Sequence, residues 1–203
     1  MRRFAFIDVP NTTGTTKNVL GFSIDWSKLY ELLVNDKWSC TSVFFYKGHK
    51  GEKEKEQLER IEEMGYVVRT KLTHIHPNTI KEIEVACPKC HGDFTYKETV
   101  KGNQKSNCDV ELTVDALETI REGDQALIFT GDGDFAYLIE KLLEKGATVR
   151  IVSSQNKDFF NKNRFSTRLK AIIEREDLDQ RRVQFIHIKN WQRTIEKGEE
   201  TDG

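Results

Sequence analysis

The sequence predicts an α/β fold, a mostly parallel sheet covered by helices, with one antiparallel hairpin inserted into it. Three observations carry this. Short apolar runs such as Phe4-Ala5-Phe6-Ile7 and Ala126-Leu127-Ile128-Phe129 suit strands buried on both faces. Helical patterns separate these runs, so strand and helix alternate from the amino terminus, as in right-handed βαβ units. The alternation breaks once, over residues 74–107, where two strand-like runs flank a Cys-x-x-Cys turn.

Residues 3–8 form the first strand, which ends in Asp8. Pro10 stops it, Asn11 suits a turn, and a threonine-rich loop is expected through Gly14. Asp25 opens a capped amphipathic helix over residues 25–33. Residues 41–46 are the next strand. A highly charged helix over 52–64 sets Leu58, Ile61 and Met64 on one face, Gly65 ends it, and residues 66–68 begin another strand. In the inserted segment, residues 80–85 and 94–100 read as the hairpin strands, with Cys87-Pro88-Lys89-Cys90-His91-Gly92 as a tight knuckle at the tip. Helical spacing resumes over 109–117. Residues 125–152 then make one complete βαβ unit: a buried strand, the acidic turn Thr130-Gly131-Asp132-Gly133-Asp134, an amphipathic helix closed by Gly146, and a second strand. A polar loop over 153–164 carries Lys157, Lys162 and Arg164, and a helix over 167–174 and a strand over 183–188 complete the pattern. This organisation is one domain over 1–195 with its hairpin insertion at about 74–107, followed by a charged, flexible tail over 196–203.

At 203 residues the chain is long enough to bury a core without disulfide staples. Its formal net charge of -1 gives no global basic field, so any nucleic-acid site must be a local patch. Four unevenly spaced cysteines do not resemble a disulfide framework. No long apolar segment predicts a membrane span, and the run over 4–7 is too short for a signal core, so the expected setting is cytoplasmic.

Asp8, Asp132 and Asp134 fall at the carboxyl ends of predicted strands, and Asp109 opens a helix. In an open α/β sheet those strand ends border the functional crevice. Two carboxylates about 4 Å apart repel by roughly 4 kcal/mol at an effective dielectric near 20, so a gathered set calls for a proton, a cation or a basic partner. Oxygen-only ligands suit Mg²⁺ or Mn²⁺. Each acid also has a plainer reading: Asp8 as an Asx turn before Pro10, Asp109 as an N-cap, and Asp132-Gly133-Asp134 as turn chemistry with Asp134 capping the helix.

Residues 6–11 (FIDVPN), 108–117 (CDVELTVDAL) and 129–152 (FTGDGDFAYLIEKLLEKGATVRIV) resemble the NYN family, a PIN-like nuclease clade that includes LabA-like proteins. The third motif is the most specific, and the likeness spans roughly residues 4–152 apart from the hairpin. The resemblance implies a Rossmann-like PIN fold and metal-dependent cleavage of RNA. It implies Asp8, Asp109, Asp132 and Asp134 as catalytic, metal-binding carboxylates, places Asn11 at the family's Asn position, and matches Asp115 to a second acid on the same helix. Where the family carries Lys-Gly-Val-Asp before that helix, this chain has Lys105-Ser106-Asn107-Cys108-Asp109, which leaves Lys105 as a displaced basic partner. A carboxylate-held Mg²⁺ or Mn²⁺ suits phosphodiester hydrolysis because it activates water and stabilises the leaving oxygen.

Cys87 and Cys90 are half of a structural Zn²⁺ site, for which His74, His76, His91 and Cys108 are further candidates; the plainer reading is a turn with two free thiols, and for Cys108 a buried side chain. RNA is the expected partner. Lys101, Lys105, Lys157, Lys162, Arg164 and Arg168 flank the acidic segments and suit phosphate contacts, with Arg164 and Lys105 set beside Asn11 as substrate-binding candidates. Phe94, Tyr96, Phe159 and Phe160 are stacking candidates, although their plainer reading is core. The competing function is a non-catalytic RNA- or protein-binding regulatory module. A phosphatase of the kind that needs Asp-x-Asp after its first strand is disfavoured, because this strand ends Asp8-Val9-Pro10.

Overall fold

A computed structural model describes residues 1–35, 37–75, 77–90, 92–100, 104–105, 107–175, 179 and 181–198, with the side chains of residues 74, 75, 104 and 105 outside that description. Six strands build one sheet: β1 (Arg3–Asp8), β2 (Ser42–Tyr46), β3 (Val67–Arg69), β8 (Gln125–Phe129), β9 (Thr148–Ser153) and β10 (Val183–His187). Their order is β10-β9-β8-β1-β2-β3, and every pairing is parallel. Counted along the chain, this is the doubly wound order 3-2-1-4-5-6, with its switch point between β1 and β8.

Alternation within strands feeds two cores. Phe4, Phe6, Ala126, Ile128, Val149 and Ile151 pack under α4 (Asp109–Thr119), α5 (Ala136–Glu144) and α6 (Thr167–Ile173). Ala5, Ile7, Val43, Phe45, Leu127 and Phe129 face α1 (Val9–Asn18), α2 (Trp26–Val34) and α3 (Glu52–Glu63), with α7 (Gln192–Ile195) on the same side. Residues 126–129 are fully buried, as an unbroken apolar run in a central parallel strand requires.

The threonine-rich segment after Asp8 is a helix, not the expected loop. Asp8 is its N-cap and Pro10 sits in its first turn, where a missing N–H costs nothing and the fixed φ suits the helix. Thr12, Thr15 and Thr16 are buried, and the Thr12 hydroxyl donates to Phe129 O at 3.2 Å. Polar side chains thus do the packing that a search for an apolar stripe overlooks.

The inserted segment contains two antiparallel pairs. β4 (His74–Ile75) pairs with β7 (Gln104–Lys105), and β5 (Thr79–Ala86) pairs with β6 (Asp93–Val100). Among the described residues, no helix is long and apolar enough to cross a membrane.

Candidate metal and nucleic-acid site

The acids gather where β1 and β8 separate. Asp8 is 9% exposed at the end of β1. Its Oδ1 accepts from the Asn11 amide at 3.3 Å, and its Oδ2 accepts from the Thr130 hydroxyl at 3.1 Å. The Thr130 hydroxyl in turn accepts from the Asp132 amide at 3.1 Å, so one short chain of bonds ties the ends of both strands. Asp132, rather than Asp134, is the cap: it opens a one-turn 3-10 helix over Gly133–Phe135 and accepts from the Asp134 amide at 3.0 Å. Asp109 is the first residue of α4, whose N-cap is Cys108, and its carboxylate accepts from the Asn107 side-chain amide.

Burial pushes the Asp8 carboxyl up to about 6, and the neighbouring Asp109 and Asp132 add to the rise against the Asn11 and Thr130 hydrogen bonds. Burial, then Asp132 and Asp134, also raise Asp109, and Lys71 opposes them. Lys71 itself is bound to Glu111 at 3.0 Å. Three backbone segments therefore place four carboxylates within each other's field.

Two of them, Asp132 and Asp134, line a cleft of about 520 Å³ together with Asn11, Asn163, Arg164 and Arg168. Close packing shapes its floor. A Cβ at Gly133 would meet Ser166 Oγ at 2.2 Å, and one at Gly131 would meet Arg164 O and Ser153 Oγ at 3.0 Å. Only glycine lets the acidic turn lie this close to the 153–166 loop.

Several candidates hold other duties. Asn11 accepts from the Gly131 amide at 2.8 Å, so its side-chain oxygen locks the acidic turn to α1. Asp115 lies away from the cleft lining, bound to Arg69 Nε at 2.9 Å and to the Tyr46 hydroxyl at 3.0 Å. Arg164 Nε is paired with the buried Asp158 at 3.1 Å, yet its side chain is 47% exposed at the cleft. The Asp158 carboxylate also accepts from the Lys162 and Phe160 amides, which with Arg164 hold it below the usual carboxylate range. Asp158 therefore pins a loop that the sequence shows only as polar. At that loop's tip Phe159 and Phe160 are 93% and 74% exposed, and Phe94 and Tyr96 are exposed as well, so the core reading of these four aromatics is wrong. Cys108 is buried as expected, and burial raises its thiol to about 11. Lys101, His76 and His91, with the side chains of His74 and Lys105, lie outside the described residues.

Among the described residues, no three His, Cys, Asp or Glu side chains stand close enough together to enclose a metal ion. The acidic group nevertheless suits a hard divalent cation in donor type and in charge. Mg²⁺ binds through one or two carboxylates, retained water and substrate phosphate, and so needs no closed protein cage.

A family model described as the NYN domain matches residues 4–171. The chain belongs to the NYN domain family. Its sheet order and layers give the PIN-like, Rossmann-like architecture expected of that family. The low amplitude and bright protein LabA of Synechococcus elongatus is 27% identical over 117 residues, or 56% of this chain and 52% of LabA. The chain thus spans about half the length of that curated relative. The crystal structure of a protein of unknown function from Vibrio parahaemolyticus shares the fold, with TM-score 0.59, 19% identity and 92% of each chain covered. A partial likeness to phosphofructokinase-2 of Escherichia coli, with TM-score 0.35 and 17% identity over 66% of this chain and 43% of that one, falls short of a common fold.

Proposed function

We propose that this NYN-domain protein is a metal-dependent ribonuclease that hydrolyses RNA phosphodiester bonds in the cytoplasm. The observation that carries this reading is the acidic group at the switch point, where burial, with Asp109 and Asp132 adding to it, raises Asp8 to about 6. Asp8, Asp109, Asp132 and Asp134 would hold Mg²⁺ or Mn²⁺. When bound, such an ion supplies an activated water and stabilises charge on the phosphorus and the leaving oxygen. The chain's own part is to bind and orient. Arg164 and Arg168 line the same cleft as Asp132 and Asp134, where they would contact phosphates beside the scissile bond, and the sequence position of Lys105 makes it a further basic candidate. Phe159 and Phe160, set on a loop anchored by Asp158, offer ring faces for base stacking. Asn11 acts on the substrate indirectly, through Gly131.

The second reading, a non-catalytic RNA- or protein-binding module, draws on the lack of a closed three-ligand cluster among the described residues. One experiment separates the two. A small panel of single-stranded and duplex RNAs is incubated with purified protein in Mg²⁺, Mn²⁺, Ca²⁺ or chelator. The nuclease binds better in Ca²⁺ and cuts when Mg²⁺ or Mn²⁺ replaces it. Tight binding in chelator, with no product in any ion, establishes the module instead.

A further inference from the structure

The acidic cleft has a neighbour of opposite charge on another flank of α1. It is a cleft of about 550 Å³ lined by Lys17, Lys47, Lys50 and Lys197, with Glu54 as the carboxylate among its described lining residues. The whole chain balances 32 Lys and Arg against 33 Asp and Glu, so four lysines to one glutamate is a local departure. These lysines are far apart in sequence, and only the fold gathers them. Lys17 stands in the last turn of α1, and Lys47 and Lys50 follow β2. Hydrogen bonds fix the backbone that carries the latter two. The Lys47 amide donates to Arg69 O at 3.1 Å, the His49 amide to Lys71 O at 3.0 Å, and the Lys50 amide to the Glu54 carboxylate at 2.7 Å.

The two clefts meet at Pro10, which is exposed in the first turn of α1 and lines both. From there α1 divides them: Asn11, Gly14 and Thr15 line the acidic cleft, and Thr13 and Lys17 the basic one. Both open beyond the carboxyl ends of parallel strands, where open α/β sheets hold their ligands. The row continues in the other direction. Gly133, Asp134 and Arg168 also line a third hollow, of about 570 Å³, beside the exposed Tyr137. Clefts joined through shared lining residues along one sheet edge suit a long ligand better than a compact one. Trp26, held edge-on to Phe45 with ring centroids 5.0 Å apart, lines the lysine cleft and offers an indole for stacking.

We propose that the lysine cleft is a second RNA subsite, which holds the phosphates of a single-stranded flank after the strand crosses Pro10. This rests on the RNA reading of the acidic cleft and extends it. Arg164 and Arg168 would hold the strand beside Asp132 and Asp134, and Lys17, Lys47 and Lys50 would hold it beyond Pro10. Lysine suits the task, because a flexible point charge follows a phosphate backbone without reading its sequence. A base that stacks on Trp26 must be unpaired, which is why the flank is single-stranded. Local cations also draw in a polyanion that the chain's net charge does not attract.

The test measures binding of single-stranded RNAs of about 4 and about 16 nucleotides to the full chain in Ca²⁺, by fluorescence anisotropy. Combined Lys17→Ala, Lys47→Ala and Lys50→Ala should carry a penalty that grows with length, reaching on the order of tenfold or more for the longer RNA. Its salt dependence should be shallower by about 2 in log–log slope, since each phosphate contact on a single strand contributes about 0.7. Lys17→Arg with Lys50→Arg, which keeps both charges, should retain the gain with length. Asp132→Asn should keep it too, which separates this cleft from the acids. Equal penalties for short and long RNA, or none, would overturn the proposal and leave the reading of the acidic cleft standing. RNA that stays whole in Mg²⁺ and Mn²⁺ yet keeps the length dependence would overturn the nuclease and support the subsite. Wild type that binds RNA of neither length would overturn both. If tripolyphosphate, run in parallel, then binds and is lost with the lysines, the cleft takes a small polyphosphate instead.

Discussion

Two regions of this chain offer metal ligands, and they are built in opposite ways. At the ends of β1 and β8 the ligands are hard oxygens, held by strands in which Ile7 and Phe129 are wholly buried. At the hairpin tip they are soft sulfurs on a ribbon whose β6 strand is exposed along its whole length. At the strand ends the Asp8 carboxyl is buried, and Asp109 and Asp132 add to the rise that burial causes. A cation there would relieve a strain the fold already bears. Ligand chemistry and burial therefore divide the two places: oxygen ligands at the ends of buried strands and sulfur ligands on an exposed ribbon.

The sharpest way to break this contrast is at the acids. Asp132→Asn should lower RNA cleavage on the order of 10³-fold, while its melting temperature in chelator stays the same or rises. Steady-state cleavage with parallel thermal melts reads both, and an unfolded variant would show that the carboxylate supports the fold instead.

Asp8→Asn tests the burial of this carboxyl, and with it the push of Asp109 and Asp132, through pH. The unfolded chain ionises Asp8 at its ordinary value of about 3.9, the folded chain at about 6. Between these values the folded state keeps the proton longer, so stability falls as pH rises, by about 3 kcal/mol once pH exceeds the folded value. The Asn side chain can still cap α1 and has nothing to ionise. The variant should therefore match wild type near pH 4 in chelator, surpass it near pH 7.5, and lose that advantage when saturating Mn²⁺ stabilises wild type alone. Parallel pH profiles for the two proteins would show that Asp8 is not strained.

Gly133→Ala probes the close approach beneath the cleft. The new methyl group would press on Ser166, the cap of α6, and should destabilise the protein by about 1–3 kcal/mol in chemical denaturation. Arg164→Ala should cost about tenfold in RNA affinity, with a shallower salt dependence, and more when combined with Lys105→Ala. Because Arg164 also pins Asp158, hydrogen exchange at the Phe160 and Lys162 amides should quicken in the same variant. The smallest effect belongs to the other region: Cys87→Ser with Cys90→Ser should shift the stability of the metal-free protein by less than about 0.5 kcal/mol. A larger loss would show that the tip supports the sheet.

The run over residues 126–129 and the acidic turn after it were legible locally, because four apolar residues followed by Thr-Gly-Asp-Gly-Asp fit one buried strand and one turn. Asp8 and Asp132 were likewise legible as strand-end acids, and the interrupted alternation marked the hairpin. Residues 9–18 were misread, since threonines favour a helix only when a sheet buries them, and burial is not a local property. Phe159 and Phe160 looked like core for the same reason: their composition is apolar, but Asp158 turns the loop that carries them outward. What the tertiary structure alone decided is adjacency. β1 lies beside β8 in register Ile7 to Phe129, across more than a hundred residues of chain. That pairing places Asn11 on Gly131 and Thr130 on Asp8. Backbone hydrogen bonding and shared core set it, and no periodicity within either segment encodes it.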